Sequence, residues 1–373
     1  MQKPVFDRNQ PFNELPLLPP DMEIDNDPQI LKKLVSASRA LAEVNGHILR
    51  LPNPYMLINT IALQEARTST EIENIFTTED DLYKAISDTV KNDNVNPGTK
   101  EVLRYREALW AGFEAVSRKK AVDIQSIITI YQQIKLTRTG FRPPQALVNI
   151  KRSQSEFRTS EVIYTPPRGN ELLDKLMNNL IEYLTNDNKY KTDPLLKMCI
   201  SHYQFEAIHP FQDGNGRTGR ILNLLYLIHK GLLSHPALYL SKYIIHNKEE
   251  YYYLLQSVTM RQYWKEWILF MLEAVEKTSG LTGSLINEIL AQMDVTHHHG
   301  KKNIKWYNKE LNEALFSQPY IKAKTVGTLM GKTSRTTITR YMEELTACSI
   351  LSYQKTGKEV YYLNDDLIRI LKG

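Results

Sequence analysis

The chain has 373 residues, of which 42% are hydrophobic and 24% charged, and its formal net charge is +5. This balance is typical of a soluble globular protein of two or three packed units and excludes a mostly disordered chain. The sequence has no run of about 18 uncharged apolar residues and no apolar segment near Met1, so we expect neither a membrane span nor a secretory signal. The two cysteines, Cys199 and Cys348, lie far apart, which argues against a disulfide framework and fits a cytoplasmic protein.

Helical periodicity dominates the chain after its first 26 residues, which are rich in proline and predict an extended surface arm. The apolar face of the first helix is predicted from residues at helical spacing, namely Leu31, Leu34, Val35, Leu41 and Ala42. Further helices are predicted at residues 54–74, 99–117, 123–136, 170–185, 194–208, 219–231, 248–258 and 262–277. The short β-branched run at 161–165, which two prolines follow, predicts a strand or hairpin on this helical body.

The last fifth of the chain has a different pattern and most of the positive charge. Residues 301–373 contain 13 Lys and Arg against 7 Asp and Glu. A charged, His-rich stretch at 296–302 predicts a linker, and helices are predicted at 306–316, 321–330 and 334–347. A hairpin with a turn at Gly357 follows. The three helices and the hairpin together indicate a winged helix-turn-helix. The third helix begins near Arg335 with a polar, basic face, so DNA binding and protein docking both stay open.

The most informative segment is residues 209–220, HPFQDGNGRTGR, between two apolar helices. Gly214, Gly216 and Gly219 allow the backbone to turn tightly and to approach a ligand closely. Consecutive N–H groups in such a turn, together with the start of the next helix, form a site for an anion. The alternative is a connecting loop with structural glycines. The loop is not a Walker A motif, because no Gly-Lys-Ser/Thr follows at the required spacing.

The side chains of this loop have the chemistry of phosphate transfer. Arg217 and Arg220 can grip phosphate oxygens, and Asp213 offers a hard oxygen ligand for Mg²⁺. His209 can accept a proton near neutral pH. These residues predict a nucleoside triphosphate that is held by its phosphates beside a general base.

The run resembles the signature of the Fic (filamentation induced by cAMP) family, His-Pro-Phe-x-Asp/Glu-Gly-Asn-Gly-Arg-x-x-Arg. Members of this family mostly transfer AMP from ATP to a protein hydroxyl and release diphosphate. The resemblance implies a mainly α fold, with a Fic-type helical bundle that bears a small β-hairpin flap and with the winged helix domain at the C-terminus. The expected domains are an N-terminal helical region with an inhibitory motif (1–112), the Fic core (113–290) and the winged helix domain (300–373).

The resemblance also assigns roles within the loop. His209 would be the general base, Asp213 would hold Mg²⁺, and Arg217 and Arg220 would neutralise the β- and γ-phosphates. The remaining nucleotide-binding positions that it implies are Gly214, Asn215, Gly216, Thr218 and Gly219. Related kinases have a lysine at the place of Gly216, so the glycine favours adenylyl over phosphoryl transfer. Phosphocholine transfer stays open.

An inhibitory signature, Ser/Thr-x-x-x-Glu-Gly/Asn, matches Ser69 to Asn74. By resemblance, Glu73 would pair with Arg220 and block productive placement of the γ-phosphate. A carboxylate in the guanidinium fork must be displaced before a phosphate can bind there. An exposed helix carboxylate is the alternative interpretation of Glu73.

Two further segments match positions that bind substrates in the family. The flap, which would hold the target backbone by strand addition, corresponds to Glu161, Val162, Ile163 and Tyr164. Tyr251 and Tyr252 lie where relatives contact the adenine and belong to the implied nucleotide-binding set. Core packing is the alternative for this tyrosine pair.

The sequence therefore predicts a cytoplasmic protein adenylyltransferase that uses ATP and Mg²⁺ and is restrained by Glu73. Its partner would be a protein with a Tyr, Thr or Ser hydroxyl, or the chain itself, and apolar helical faces permit a homodimer. The first alternative is a DNA-binding regulator that senses a nucleotide. The second is an enzyme that removes AMP from modified proteins, with Glu73 orienting a water molecule.

Overall fold

The computed structural model describes residues 6–21, 23–51, 54–87, 95–119, 121–151, 161–331 and 334–372. Helices dominate these residues, which confirms the prediction of a mainly α protein. The helices are α1 (Pro28–Leu49), α2 (Pro54–Ile72), α3 (Glu79–Ser87), α4 (Pro97–Lys119), α5 (Ile124–Lys135), α6 (Asn170–Thr185), α7 (Pro194–Ile208), α8 (Asn215–His229), α9 (Leu240–His246), α10 (Lys248–Arg261), α11 (Trp264–Asn303), α12 (Lys309–Leu315), α13 (Ala323–Leu329), α14 (Arg335–Ala347) and α15 (Asp365–Lys372). The strands are β1 (Ile150–Lys151), β2 (Val162–Tyr164), β3 (Tyr320–Ile321), β4 (Ser352–Thr356) and β5 (Glu359–Leu363).

Local signals placed several helix starts correctly. The carboxylate of Asp123 accepts the N–H of Ser126 at 2.7 Å and caps α5, and that of Asp193 accepts the N–H of Leu195 at 2.8 Å just before α7. Helices α3, α9 and α15 were not predicted. Each has nine residues or fewer, which is too short to show a full apolar period.

Helices α7 and α8 form the centre of the bundle. Every residue of α7 from Leu195 to Ile208 is buried, and so is nearly all of α8 up to Leu227. α7 packs against α6, α8 and α11, whereas α8 packs against α4 and α5. The loop that joins these two helices is therefore anchored at both ends in the core.

Helix α1 packs along α11, but on a face that was only partly predicted. Its buried residues are Ile30, Ala37, Leu41, Val44 and Ile48. Of the predicted face, Leu41 is buried and Leu34 partly buried, whereas Leu31 and Val35 are 40% and 49% exposed and Ala42 is also exposed. The apolar stripe at 30, 37, 41, 44 and 48 has complete i, i+3, i+4 and i+7 spacing, and the exposed residues lie beside it.

The linker predicted at 296–302 is wrong, because α11 continues to Asn303. Ile286, Ile289, Thr296 and Gly300 stay buried along the second half of this helix, which packs against α12 and α15. Helix α11 thus crosses the expected limit at residue 290, and α4 crosses the limit between 112 and 113, so the three-domain division stays a prediction. No helix of the described residues is both long and apolar enough to cross a membrane.

The described residues after α11 form four helices, α12 to α15, and a small antiparallel sheet in the order β3-β5-β4. Strands β4 and β5 form the predicted hairpin, with Gly357 at φ 60° in its turn. Strand β3, which the sequence did not predict, pairs Tyr320 with Leu363. The order of elements is helix, strand, helix, helix, hairpin and helix, and the winged helix-turn-helix stays a prediction.

The predicted strand before the two prolines is β2, which pairs with β1 in a two-stranded hairpin. Ile150 lies opposite Tyr164. Ile163 and Tyr164 are consecutive on β2 and therefore point to opposite faces, and both are buried, so the strand is covered on both faces.

Candidate active site

The loop between α7 and α8 is closed by its own hydrogen bonds. His209 adopts the left-handed conformation (φ 51°), and its N–H donates to the carbonyl of Phe205 at 3.0 Å, which ends α7. The Asn215 side chain accepts from the N–H of Phe211 and donates to the carbonyl of the same residue, both at 2.8 Å. Gly214 at φ 79° then starts α8. The loop backbone is fixed, and its N–H groups lie at a helix N-terminus, where an anion is favoured.

A buried arginine outside the loop holds the loop in place. Arg142 is 4% exposed, and its Nε donates to the carbonyl of His209 at 2.8 Å. Its Nη2 donates to the carbonyls of Ile208, at 3.3 Å, and Pro167. Its backbone N–H donates to the carbonyl of Pro210 at 2.9 Å. Arg142 therefore ties the catalytic loop to the segment that follows the flap.

The predicted general base is neutral. Burial lowers the pKa of His209 to about 4. Its Nδ1 lies 3.3 Å from the carbonyl of Glu206, and because a carbonyl can only accept, this nitrogen bears the proton. Nε2 is then the nitrogen with a lone pair, so His209 is ready to accept a proton at neutral pH.

Arg220 forms hydrogen bonds with Ser69 and Glu73 of the inhibitory signature. Its side chain is 1% exposed, its Nε donates to the hydroxyl of Ser69 at 2.7 Å, and its Nη2 donates to the Ser69 carbonyl at 2.8 Å. Nη2 also donates to the Glu73 carboxylate at 2.8 Å. Burial disfavours the charge on Arg220, but Glu73 overcomes this and raises the pKa of the guanidinium. The Nε–Nη2 edge of Arg220 is thus occupied by the segment at the end of α2.

The glycines of the loop permit these close approaches. A Cβ at Gly216 would lie 2.3 Å from Oε1 of Glu73 and 2.9 Å from Nη1 of Arg220. A Cβ at Gly219 would lie 2.7 Å from Oε1 of Glu206. A side chain at position 216 would therefore collide with the carboxylate that holds Arg220. The hydroxyl of Thr218 donates to the Gly214 carbonyl at 2.9 Å and so acts within the loop.

Arg217 and Asp213 have partners from other helices. The Nη1 of Arg217 donates to the carboxylate of Glu101 in α4. The ammonium of Lys135, at the end of α5, lies 2.6 Å from Oδ2 of Asp213. Burial opposes ionisation of Asp213, but the hydrogen bond and charge of Lys135 and the charge of Arg217 keep the pKa of this carboxyl below its usual range. Asp213 is therefore an anion in the free protein.

These residues border a cleft of about 410 Å³, within the size range of ligand sites. Its basic lining residues are Lys100, Arg104, Lys135 and Arg217, and its acidic lining residues are Glu73, Glu101 and Asp213. A cleft with this many fixed charges suits a polyphosphate rather than an apolar ligand.

A magnesium ion fits Asp213 only together with a nucleotide. The side chain of Asp213 is 68% exposed, and the described residues contain no group of three or more His, Cys, Asp or Glu that could hold a metal. Mg²⁺ commonly binds through one or two carboxylates plus substrate phosphates, and a lone carboxylate beside a phosphate-sized cleft agrees with that pattern.

The two tyrosines of the pair on α10 differ in burial. Tyr251 is 2% exposed, and its hydroxyl lies 3.0 Å from Nε2 of the buried His202. Tyr252 is partly buried and stacks edge-on against Tyr251 at 5.3 Å. Tyr253 is 48% exposed. Tyr251 is therefore a core residue, and Tyr252 is the better placed of the pair to touch a ligand.

The flap packs against a segment that the sequence did not connect with it. Glu161 is exposed and forms an ion pair with Arg8, and the Tyr164 ring is stacked on Phe6 at 6.0 Å. The N–H of Phe12 donates to the Thr165 carbonyl at 3.0 Å. The N-terminal arm thus supports the flap hairpin.

Four site residues were missed by sequence reasoning: Glu101, Lys135, Arg142 and Glu206. Burial raises the pKa of Glu206 to about 8, so this carboxyl is protonated at neutral pH. Glu206 lies three residues before His209 on a helix and could have been noticed for that reason. The other three come from distant helices or loops and carry no local signal.

Comparison with known families assigns most of the chain. Residues 31–114 match the Fic/DOC family N-terminal region, and residues 121–227 match the Fic/DOC family. Residues 292–367 match the C-terminal domain described as protein adenylyltransferase SoFic-like.

Similar curated proteins are named as protein adenylyltransferases. A probable protein adenylyltransferase of Aquifex aeolicus is 27% identical over 194 residues, which are 50% of this chain and 54% of that protein. The protein adenylyltransferase Fic of Nematostella vectensis is 29% identical over 134 residues, or 35% of this chain and 29% of that protein. The chain thus matches about half of the first relative and less than a third of the second.

Solved structures agree on the fold. A Fic family protein of Desulfovibrio desulfuricans superposes with a TM-score of 0.57 at 20% identity, covering 93% of this chain and 98% of that one. Fic-1 of C. elegans gives a TM-score of 0.50 at 17% identity, covering 72% and 75% of the two chains. The predicted Fic-type helical bundle is confirmed, and the chain belongs to the Fic/DOC family.

Proposed function

We propose that this protein is an adenylyltransferase that transfers AMP from ATP to a Tyr, Thr or Ser hydroxyl of a protein target or of the chain itself. The observation that carries the proposal is the set of side chains on the loop between α7 and α8 and on the first turns of α8. A neutral imidazole, His209, follows α7, and two buried arginines, Arg217 and Arg220, lie in the first turns of the buried helix α8. The names of the relatives support the same reaction class.

The reaction needs a base on one side of the α-phosphorus and charge stabilisation on the other. Nε2 of His209 takes the proton of the target hydroxyl while its oxygen attacks the α-phosphorus. The bond from that phosphorus to the bridging oxygen breaks, and diphosphate leaves with the electron pair. Arg217, Arg220 and the N–H groups at the start of α8 stabilise the charge on the leaving group. Asp213 would hold Mg²⁺, which neutralises phosphate charge when bound.

Glu73 restrains this reaction in the proposal. Its carboxylate and Ser69 together occupy the Nε and Nη2 donors of Arg220, which are the donors that a phosphate would use in a bidentate contact. A triphosphate that binds beside Glu73 must either displace the carboxylate or sit in a position unsuited to transfer.

The flap and Tyr252 would place the two substrates. Tyr252 is partly buried on α10 and would contact the adenine. The apolar pocket between the flap, α7 and α10 has a volume of about 20 Å³, which is room for a water molecule and not for a base. The flap strand β2 would hold the target backbone by strand addition, which fixes a hydroxyl without reading its neighbours.

The test is incubation with α-labelled ATP, Mg²⁺ and a cell lysate, using the wild type, Glu73→Gly and the control Glu71→Gly. Glu71 is in the last turn of α2, so both variants introduce glycine into the same short stretch. We expect Glu73→Gly alone to increase labelling of protein, including the chain itself, by about tenfold or more, because removal of the carboxylate frees a donor on Nη2 of Arg220 and removes a negative charge, worth about 1.4 kcal/mol or more.

Two outcomes would count against the proposal. Unchanged labelling in Glu73→Gly, with ATP bound, would remove Glu73 as a brake. Protein labelled by γ-labelled but not α-labelled ATP would mean that the nucleotide is bound the other way round and that the protein is a kinase.

A second candidate function rests on α14 and the hairpin. Arg335, Thr336 and Arg340 are exposed on α14, and Lys355 and Lys358 are exposed in the hairpin. An exposed basic helix beside a basic wing suits the DNA backbone. Filter binding of the full chain to duplex DNA across a salt series tests it, because phosphate contacts make affinity fall steeply with salt. Weak binding that salt does not change would favour protein docking instead.

A further inference from the structure

The two arginines of the cleft have carboxylates on different atoms. In Arg220, Nε and Nη2 are both occupied by Ser69 and Glu73. In Arg217, Glu101 takes Nη1, while Nε is buried and has no hydrogen-bond partner among the described residues. A buried N–H without a partner is rare, because it loses its hydration without compensation. The free donor of Arg217 therefore points to a ligand that is bound during function.

Glu101 is itself held in place from the other side. Its second oxygen accepts from Nη1 of Arg104 at 3.0 Å, one turn along α4. The Glu101 side chain is 19% exposed, whereas that of Arg217 is 2% exposed. Because α4 packs directly against α8, the carboxylate is brought to the cleft by helix packing and not by a loop. It is a fixed contact.

The negative charge of Glu101 stabilises the buried guanidinium of Arg217. A buried guanidinium that has lost its hydration needs an opposite charge, and removal of one partner of a buried pair is strongly destabilising for the group that remains. Glu101 supplies that charge at Nη1 and leaves the buried Nε without a partner among the described residues. This differs from Glu73, which covers the edge that a phosphate would use.

We infer that Glu101 is a positioning residue: it holds Arg217 by Nη1 so that the Nε edge faces the β- or γ-phosphate of a bound nucleoside di- or triphosphate. The inference rests on the proposed function, because it assumes a nucleotide in this cleft. It predicts opposite effects of the two carboxylates. Loss of Glu73 frees a donor on Nη2 of Arg220 and strengthens productive binding, whereas loss of Glu101 releases Nη1 of Arg217 and weakens it.

The experiment measures nucleotide affinity by calorimetry in the full-length Glu73→Gly protein, with Mg²⁺ present, and adds Glu101→Gln or the control Glu114→Gln. Glu114 is an exposed residue of the same helix that pairs with Arg118, so the control makes the same chemical change away from the cleft. We expect Glu101→Gln to raise the Kd of ATP about tenfold, which corresponds to about 1.4 kcal/mol. The Kd of AMP, which has neither a β- nor a γ-phosphate, should not change, and Glu114→Gln should change neither.

Each other outcome contradicts the inference in a recognisable way. Unchanged or tighter ATP binding in Glu101→Gln would mean that Glu101 does not present Arg217. An equal loss of ATP and AMP affinity would mean that Glu101 supports the fold and not one phosphate contact. Failure of the parent Glu73→Gly protein to bind ATP at all would instead contradict the proposed function.

Discussion

The phosphate site and the exposed face of α14 both contain arginines, but these arginines differ in burial and in the ion pairs that they form. Arg217 and Arg220 are each 1% exposed, and each has a carboxylate partner, Glu101 in α4 and Glu73 just after α2. Arg340 on α14 has a 64% exposed side chain, with Glu344 3.6 Å away on the same helix. A buried ion pair loses several kcal/mol when one partner is removed, whereas an exposed pair contributes about 0–1 kcal/mol. Function in the cleft can thus be inferred from individual contacts, and on α14 only from the exposure of its arginines.

The largest expected effect is the loss of adenylyl transfer when the general base, His209, is removed. His209→Ala should lower adenylyl transfer by about 10²- to 10⁴-fold, because no other group would take the proton from the hydroxyl. ATP binding should persist, since the phosphate contacts come from the loop backbone and the arginines. Labelling with α-labelled ATP and calorimetry with ATP, both in the Glu73→Gly background, measure the two quantities.

His246→Ala is a suitable control for this variant. His246 ends α9 and is exposed, and its Nδ1 lies 2.7 Å from the carbonyl of Lys242 in its own helix. Loss of ATP binding together with activity in His209→Ala would show that the imidazole supports the site and does not act as the base.

The next largest effect is on the free energy of unfolding when a buried and an exposed arginine are each replaced by lysine. Arg142→Lys should lower the free energy of unfolding by about 2–3 kcal/mol, because a lysine cannot reach the carbonyls of His209, Pro167 and Ile208 at once. Arg340→Lys should change it by less than about 0.5 kcal/mol. Denaturant midpoints at a constant slope measure both. Equal effects of the two substitutions would contradict the contrast between the buried and the exposed region.

Sequence reasoning reached the loop at 209–220 because its residues are contiguous, and each has a chemical role that can be recognised without the fold. It also reached Glu73, through a short signature of its own. Glu101 and Arg142 were missed, since they contact the loop across 116 and 67 positions of the chain. Ordinary charged residues on amphipathic helices give no local sign that packing will bring them to a cleft.

The same limit applies to the fold. The type and approximate extent of most helices followed from periodicity and from caps such as Asp123. The face of α1 was partly wrong, because Leu31 and Val35 are as apolar as their buried neighbours and only the position of α11 decides which side is covered. Residues 296–302 look like a linker by composition, but buried contacts such as that of Gly300 against the Tyr307 ring keep them helical.

The smallest expected effect is on pH dependence, and it distinguishes a buried imidazole from an exposed one. Because burial lowers the pKa of His209 to about 4, its neutral form should persist from pH 7.5 to pH 5.5. The rate of labelling at low ATP should then be nearly constant over this range, whereas an imidazole with a pKa of about 6.5 would lose about tenfold.

Unlike the labelling rate, the stability of the protein should depend on pH in the acid range. Between pH 6.5 and pH 4 the unfolded chain binds a proton at His209 that the folded chain does not, so the free energy of unfolding should fall as the pH falls through this window. His202, whose pKa burial lowers to about 3, adds to the same trend. A labelling rate with an acid limb centred near pH 6.5, measured where the protein is still folded, would mean that His209 is solvated in the working enzyme and that the cleft opens when the nucleotide binds.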